Sequence, residues 1–161
     1  MKTSKKFIRG STRACLKIIL LTAMAAMASS QTLPDFSGTW KQDNDRCLPK
    51  RSGDVTLHIE QHSPELTVET SISRASLSSE HAVQKYTTDG NISTSTGPDG
   101  DEFHTSIVWR NSSLVFTIEE HEDGRTLHSQ ETWSLIENGA TLQRTRRRTD
   151  GNTQVLVYLR Q

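Results

Sequence analysis

The sequence predicts a single all-β domain laid out as an antiparallel meander, and three observations carry that prediction. Apolar and polar residues alternate with a period of two in one segment after another, which gives each strand one face for a core and one for water. Turn signals separate those segments, mostly about 10 to 15 residues apart, close to the spacing of a sandwich or barrel. No stretch of helical period and useful length follows Ala28; a turn or two around Arg74 to His81 is the most helix expected.

Residues 1–28 stand apart from this pattern. Lys2, Lys5, Lys6, Arg9, Arg13 and Lys17 occur there without an acid, and an apolar run from Ile18 leads to small residues at Ala26–Ser30. A basic start, a short apolar stretch and a small-residue exit describe a secretory signal peptide. The apolar run is about 11 residues, against the roughly 20 that a membrane-spanning helix needs. The expected organisation is therefore a signal peptide over 1–28, cleaved as late as residue 30, then one exported domain over 31–161.

The full chain carries 19 basic and 19 acidic residues. Without the leader, 13 basic residues face 19 acidic ones, near −6 with neutral histidines. Such a balance disfavours nucleic acid and anionic membrane surfaces as partners. Cys15 leaves with the leader, and no lipoprotein-type pattern surrounds it. Cys47 remains alone, so no intrachain disulfide staples the domain and packing must hold it. Cys47 reads as a small half-buried apolar residue, with a reactive or intermolecular thiol as the alternative.

Gln31–Phe36 reads as a short tether, and a polar loop over 42–54 follows Ser37-Gly38-Thr39-Trp40. Val55, Leu57 and Ile59 share a strand face, as do Leu66, Val68 and Ile72; Thr105, Ile107 and Trp109; and Leu114, Phe116 and Ile118. Val155, Val157 and Leu159 give the same pattern near the end. Large apolar residues are few and Thr and Ser many. Threonine suits strand surfaces, so this composition predicts a thin core rather than disorder, and closure into a barrel would remove exposed edges.

The organising stretch is Thr126–Thr149, two alternating runs joined by Glu137-Asn138-Gly139, which reads as a β-hairpin. Its second strand places Arg144, Arg146 and Arg148 on the inward face marked by Leu142.

Ser37-Gly38-Thr39-Trp40, Tyr86–Gly90, Trp109 before Leu114-Val115, Glu131–Leu135 with Gly139–Leu142, and Val157–Arg160 together resemble a family of small exported bacterial lipocalin-like proteins of the calycin group. The resemblance spans Asp35 to the C-terminus. It implies an up-and-down β-barrel of about eight to ten strands, a periplasmic or secreted location, a small-molecule pocket, and Arg160 covering Trp40 through a cation–π contact. The chain departs from the family at Arg144, where relatives carry an apolar residue, so a purely greasy pocket is not expected.

Pairing Arg110 with Ser113, His121 with Thr126, Ile136 with Thr141 and Thr149 with Asn152 sets a register of inward rows. They are Trp109, Leu114, Trp133, Arg144, Val157; then Ile107, Phe116, Glu131, Arg146, Val155; then Thr105, Ile118, Ser129, Arg148, Thr153. A bulge would shift any row by one residue and reverse its face. Buried arginines need partners, and Glu131 opposite Arg146 with Arg144 against Trp133 would supply some. Two uses of the arginines stay open: an internal ion pair that fixes register, or free donors for an anionic ligand head. In the second, the tail would lie along Phe116 and Trp109. The candidate ligand-binding residues are Arg144, Arg146, Arg148, Glu131, Trp133, Trp109 and Phe116.

The same register sets His104, Glu119 and His128 side by side on the outer face, where they are either a divalent-metal set or a solvated surface; no metal or other cofactor is assigned. CxxC, HExxH, GxSxG and a phosphate-cradling glycine loop are absent. An enzyme would have to use Glu131, Glu120 and the inward arginines, and no activity is expected. The sequence thus points to a non-catalytic binding protein for a small amphipathic or anionic molecule. The alternative is a structural or protein-interaction module of the cell envelope with a filled barrel.

Overall fold

The computed structural model describes residues 32–74, 77–97 and 100–161, so the expected signal peptide lies outside the described residues. The alternating segments form ten strands. They are β1 (Gly38–Gln42), β2 (Asp54–His62), β3 (Glu65–Arg74), β4 (Leu77–Thr87), β5 (Asp89–Thr96), β6 (Glu102–Arg110), β7 (Ser113–Glu122), β8 (Arg125–Ile136), β9 (Thr141–Arg148) and β10 (Thr153–Arg160). A 3-10 turn at Glu137–Gly139 is the one helical element among the described residues. Where a helical turn was expected around Arg74 to His81, the described residues, Arg74 and 77–81, are strand. Ile72 pairs with Glu80 and Ser71 with His81, and this cross-strand ladder decides the conformation of a locally ambiguous Ser-rich segment.

The sheet order is β4-β3-β2-β1-β10-β9-β8-β7-β6-β5. Its two edges, β4 and β5, are neighbours in sequence, so the sheet curls into a barrel whose ladder is interrupted only between them. β1 pairs with β10, Trp40 opposite Arg160, and so joins the first and last strands. The edge strand β5 is mostly Ser, Thr and Asn, and its Ile92 is 70 % exposed.

Up-and-down connectivity sends the β2–β3, β4–β5, β6–β7 and β8–β9 turns to one end, and that end is packed solid. Phe36, Trp40, Leu57, Ile59, Leu66, Ile107, Leu114 and Leu142 have little or no exposed surface there. Phe36 is not part of a tether. It is 0 % exposed, with its ring 6.0 Å from that of Trp109 and 6.4 Å from that of Trp133, and its carbonyl accepts from Trp40 Nε1 at 2.9 Å. The guanidinium of Arg160 lies 4.2 Å over the Trp40 ring, as the resemblance implied. Its Nη1 donates to the Ser37 carbonyl at 2.7 Å and its Nε to that of Gly139 at 3.1 Å. Gly38, at φ +130°, leaves room for that side chain, since a Cβ would lie 2.9 Å from Arg160 Nη1.

Three of the four expected hairpin pairings hold: Arg110 with Ser113, His121 with Thr126, and Ile136 with Thr141. The last does not. Arg148 N–H donates to the Asn152 carbonyl at 2.9 Å and Gly151 N–H to that of Arg148 at 3.1 Å, with Gly151 at φ 86°. The loop therefore holds Thr149, Asp150 and Gly151, one residue more than a two-residue turn. β10 shifts by one: Arg144 faces Leu156, Arg146 faces Gln154, and Leu142 faces Tyr158. Val155, Val157 and Thr153 leave the inward rows, and Gln154, Leu156 and Tyr158 take their places.

β1 is only five residues long, so it leaves part of β10 without a strand partner. The 42–54 loop covers that stretch, exchanging two hydrogen bonds between Leu48 and Val155 at 2.7 and 2.8 Å and donating from Asp43 N–H to Val157. Cys47 is buried in this loop, its Sγ 3.2 Å from the Asp43 carbonyl. Among the described residues, no helix is long and apolar enough to cross a membrane.

Candidate functional site

Above the packed end the apolar rows thin out and polar side chains enter the barrel. β8 and β9 bring Glu131, Trp133 and Arg144 together because Trp133 lies opposite Arg144 and Glu131 opposite Arg146. The carboxylate of Glu131 does not bond Arg146, its opposite number. It reaches diagonally to accept from Arg144 Nε at 2.6 Å, and it also accepts from Trp133 Nε1. The guanidinium of Arg144 stacks 4.6 Å from the centre of the Trp133 ring and 5.8 Å from that of Tyr158.

Glu131 is only 5 % exposed. Burial, the largest influence, pushes its pKa up; the charge and hydrogen bond of Arg144, the Trp133 N–H and the charge of Arg146 outweigh it, so the carboxyl is held below its ordinary range. For Arg144, burial, the largest influence, favours the neutral form, yet the charge and hydrogen bond of Glu131 together with Tyr158 and Tyr86 outweigh it, and the guanidinium stays charged. Burial pushes the Tyr86 hydroxyl up to about 12, against the opposing pull of Arg144, and raises that of Tyr158 as well. Both are hydrogen-bond donors at neutral pH.

Two cavities meet at this group. One, of about 190 Å³, is bounded by Val68, Gln84, Tyr86, Phe116, Ile118, Glu131 and Trp133. The other, of about 230 Å³, is bounded by Arg51, Val55, Leu57, Ile72, Leu156 and Tyr158. Arg144 and Thr70 line both. Beyond them, at the β9–β10 turn, a hollow of about 360 Å³ is lined by Pro49, Arg51, Arg146, Arg148, Asn152, Thr153 and Gln154. Three arginines and no acid face that hollow. Arg146 donates from Nε to Ser129 Oγ at 3.1 Å, and Arg146 and Arg148 share the single carboxylate of Glu120 at 3.5 and 3.9 Å.

The candidate residues thus divide. Arg144, Glu131, Trp133 and Phe116 line the inner cavity, and Arg146 and Arg148 line the outer hollow. Trp109 does neither, since it packs on Phe36 at the closed end. Sequence reasoning missed Arg51, Tyr86 and Tyr158 as lining residues. Tyr158 was legible in principle: Arg160 was expected over Trp40, and residues two apart in a strand share a face. Arg51 sits in a loop without periodicity, so no pattern marks it. On the outer face, His104 does lie opposite Glu119 and Glu119 opposite His128, but the compact set is His104, Glu119 and His121.

Scans of the sequence against protein-family models and curated proteins give no match. Solved structures do resemble it. Secretory abundant heat soluble protein 4 from Ramazzottius varieornatus matches with a TM-score of 0.65 at 14 % identity, over 82 % of this chain and 99 % of that one. The REP1-NXSQ fatty acid transporter matches with a TM-score of 0.59 at 10 % identity, over 78 % of this chain and 95 % of that one. Fatty-acid-binding protein 1 of Echinococcus granulosus matches with a TM-score of 0.56 at 16 % identity, over 78 % and 96 %. At these identities the likeness is one of fold: a ten-stranded barrel of calycin type.

Proposed function

We propose that this chain is a non-catalytic, exported binding protein that holds a small amphipathic molecule by its anionic group. The observation that carries the reading is the run of arginines from the outer hollow, through Arg51, to Arg144 where two partly apolar cavities meet. Ligand sites are concave and mostly apolar with a few placed polar groups, at ~300–1,000 Å³, and the two cavities taken together fall in that range. An anionic group entering the hollow gains charge-assisted hydrogen bonds from Arg51, Arg146 or Arg148, while a tail lies against Phe116, Ile118 and Val68. Two of the similar structures are named for fatty acids, molecules of that build. Catalysis finds no support in Glu131, whose proton affinity is moved away from the near-neutral value general acid–base chemistry requires.

A filled interior with Arg146 fully paired to Glu131 would favour the alternative, a structural or protein-interaction module; Arg146 instead bonds Ser129 and shares Glu120. Binding of 1-anilinonaphthalene-8-sulfonate, an anionic amphipath that fluoresces in apolar surroundings, tests the proposal. Wild type should bind saturably, and Arg51→Gln/Arg146→Gln about tenfold more weakly, the equivalent of roughly 1.4 kcal/mol. Undiminished affinity in that variant would refute the role given to the arginines.

A further inference from the structure

The outer face of β6 and β7 carries a second cluster, apart from the barrel interior. Thr105, Ile107, Phe116 and Ile118 point inward, so Glu102, His104, Glu119 and His121 point out. His104 pairs across the ladder with Glu119, and Glu102 with His121. The ligand atoms of His104, Glu119 and His121 all lie within 4.8 Å of one another, and the two imidazole rings are 4.8 Å apart at 64°.

The hydrogen bonds around the cluster leave lone pairs to spare. His104 Nε2 lies 2.6 Å from Glu102 Oε1; with a proton there, the lone pair is on Nδ1. His121 Nδ1 lies 3.2 Å from Thr126 Oγ1; if it donates to that oxygen, the lone pair is on Nε2. His121 Nε2 is buried and has no hydrogen-bond partner, which no other buried side-chain nitrogen or oxygen among the described residues shares. A buried polar atom in that state costs about 1–3 kcal/mol and calls for a partner. Glu119 adds a carboxylate whose Oε1 is 3.6 Å from His128 Nδ1.

We infer that His104, Glu119 and His121 form a binding site for a divalent transition-metal ion of the zinc type on the outer wall of the barrel. Two neutral imidazoles and one carboxylate suit zinc, with bonds of about 2.0–2.2 Å and a fourth position open to water. Those bonds set ligand atoms roughly 3.3 Å apart in a tetrahedron, so the side chains close by about an ångström on binding. Glu102 and Thr126 hold the far nitrogens of the two rings, the role outer partners play in fixing a histidine ligand's tautomer. The site is independent of the interior: the sheet separates it from the cavities, and none of its three ligands lines them.

The test is isothermal titration of the tag-free domain, residues 31–161, with zinc chloride, alongside His104→Ala, His121→Ala and the control His58→Ala on another part of the outer surface. One zinc per chain in wild type and His58→Ala is expected, with affinity reduced at least about tenfold in the other two variants. The melting temperature should rise with zinc in wild type and not in His121→Ala. Absence of saturable binding in wild type, or equal binding in all variants, overturns the inference. Circular dichroism establishes that each variant keeps the barrel.

Discussion

Replacing Glu131 by Gln would leave the guanidinium of Arg144 between Trp133 and Tyr158 with no counter-charge of its own. Breaking a buried pair in this way costs about 3–5 kcal/mol, whereas replacing both partners by apolar residues is often neutral. Urea unfolding should therefore show Glu131→Gln strongly destabilised and Glu131→Leu/Arg144→Met close to wild type. The same pair predicts a pH dependence. The folded pKa of Glu131 lies below its ordinary value of 4.5, so the unfolded chain takes up the proton first on acidification. Its contribution is complete above about pH 4.5 and is lost as pH falls below that value; the unfolding midpoint of Glu131→Gln should lack this part of the acid decline. Phe36→Ala, at the closed end, should cost about 3–5 kcal/mol as a large buried ring is deleted; a change below about 1 kcal/mol would place Phe36 outside the core.

The β9–β10 hairpin decides which residues of the last strand face inward, and it turns on one glycine. Gly151 has φ 86°, and a Cβ there would meet nothing within 4 Å, so Gly151→Ala is opposed by backbone conformation alone. A loss of about 1–2 kcal/mol in thermal unfolding is expected; a neutral result would mean that the loop does not require the left-handed conformation. Legibility was uneven for related reasons. Alternation exposed the strands, and two two-residue turns and the four-residue loop between Ile136 and Thr141 exposed three registers, which was enough to stack Trp133, Arg144, Glu131 and Arg146 correctly. The fourth register failed because Thr149-Asp150-Gly151-Asn152 reads equally well as a two- or three-residue loop until its hydrogen bonds are seen. Phe36 was invisible because burial by other segments leaves no period in its own, and Arg51 because it lies exposed in an aperiodic loop. The helix expected near Arg74 yielded to pairing with β3, an interaction between residues remote from that segment's local preferences.

At the scale of the whole barrel, the packed core and the proposed binding site occupy different ends. The turns near Trp40 and Leu142 enclose a solid apolar plug, while the opposite half trades packing for cavities lined by arginines. That division predicts that substitutions at the outer hollow change affinity while leaving the unfolding midpoint nearly fixed. It also predicts ligand selection by charge. The most direct measurement is the affinity of the domain for a long-chain carboxylate and for the alcohol of the same chain length, read from the fluorescence of Trp133 in a Trp40→Phe/Trp109→Phe background. The carboxylate should bind about tenfold or more tightly, with the preference abolished in Arg51→Gln/Arg146→Gln. Equal affinity for the two, or no response from Trp133 to either, would contradict the assignment of the interior as an anion-selective binding site.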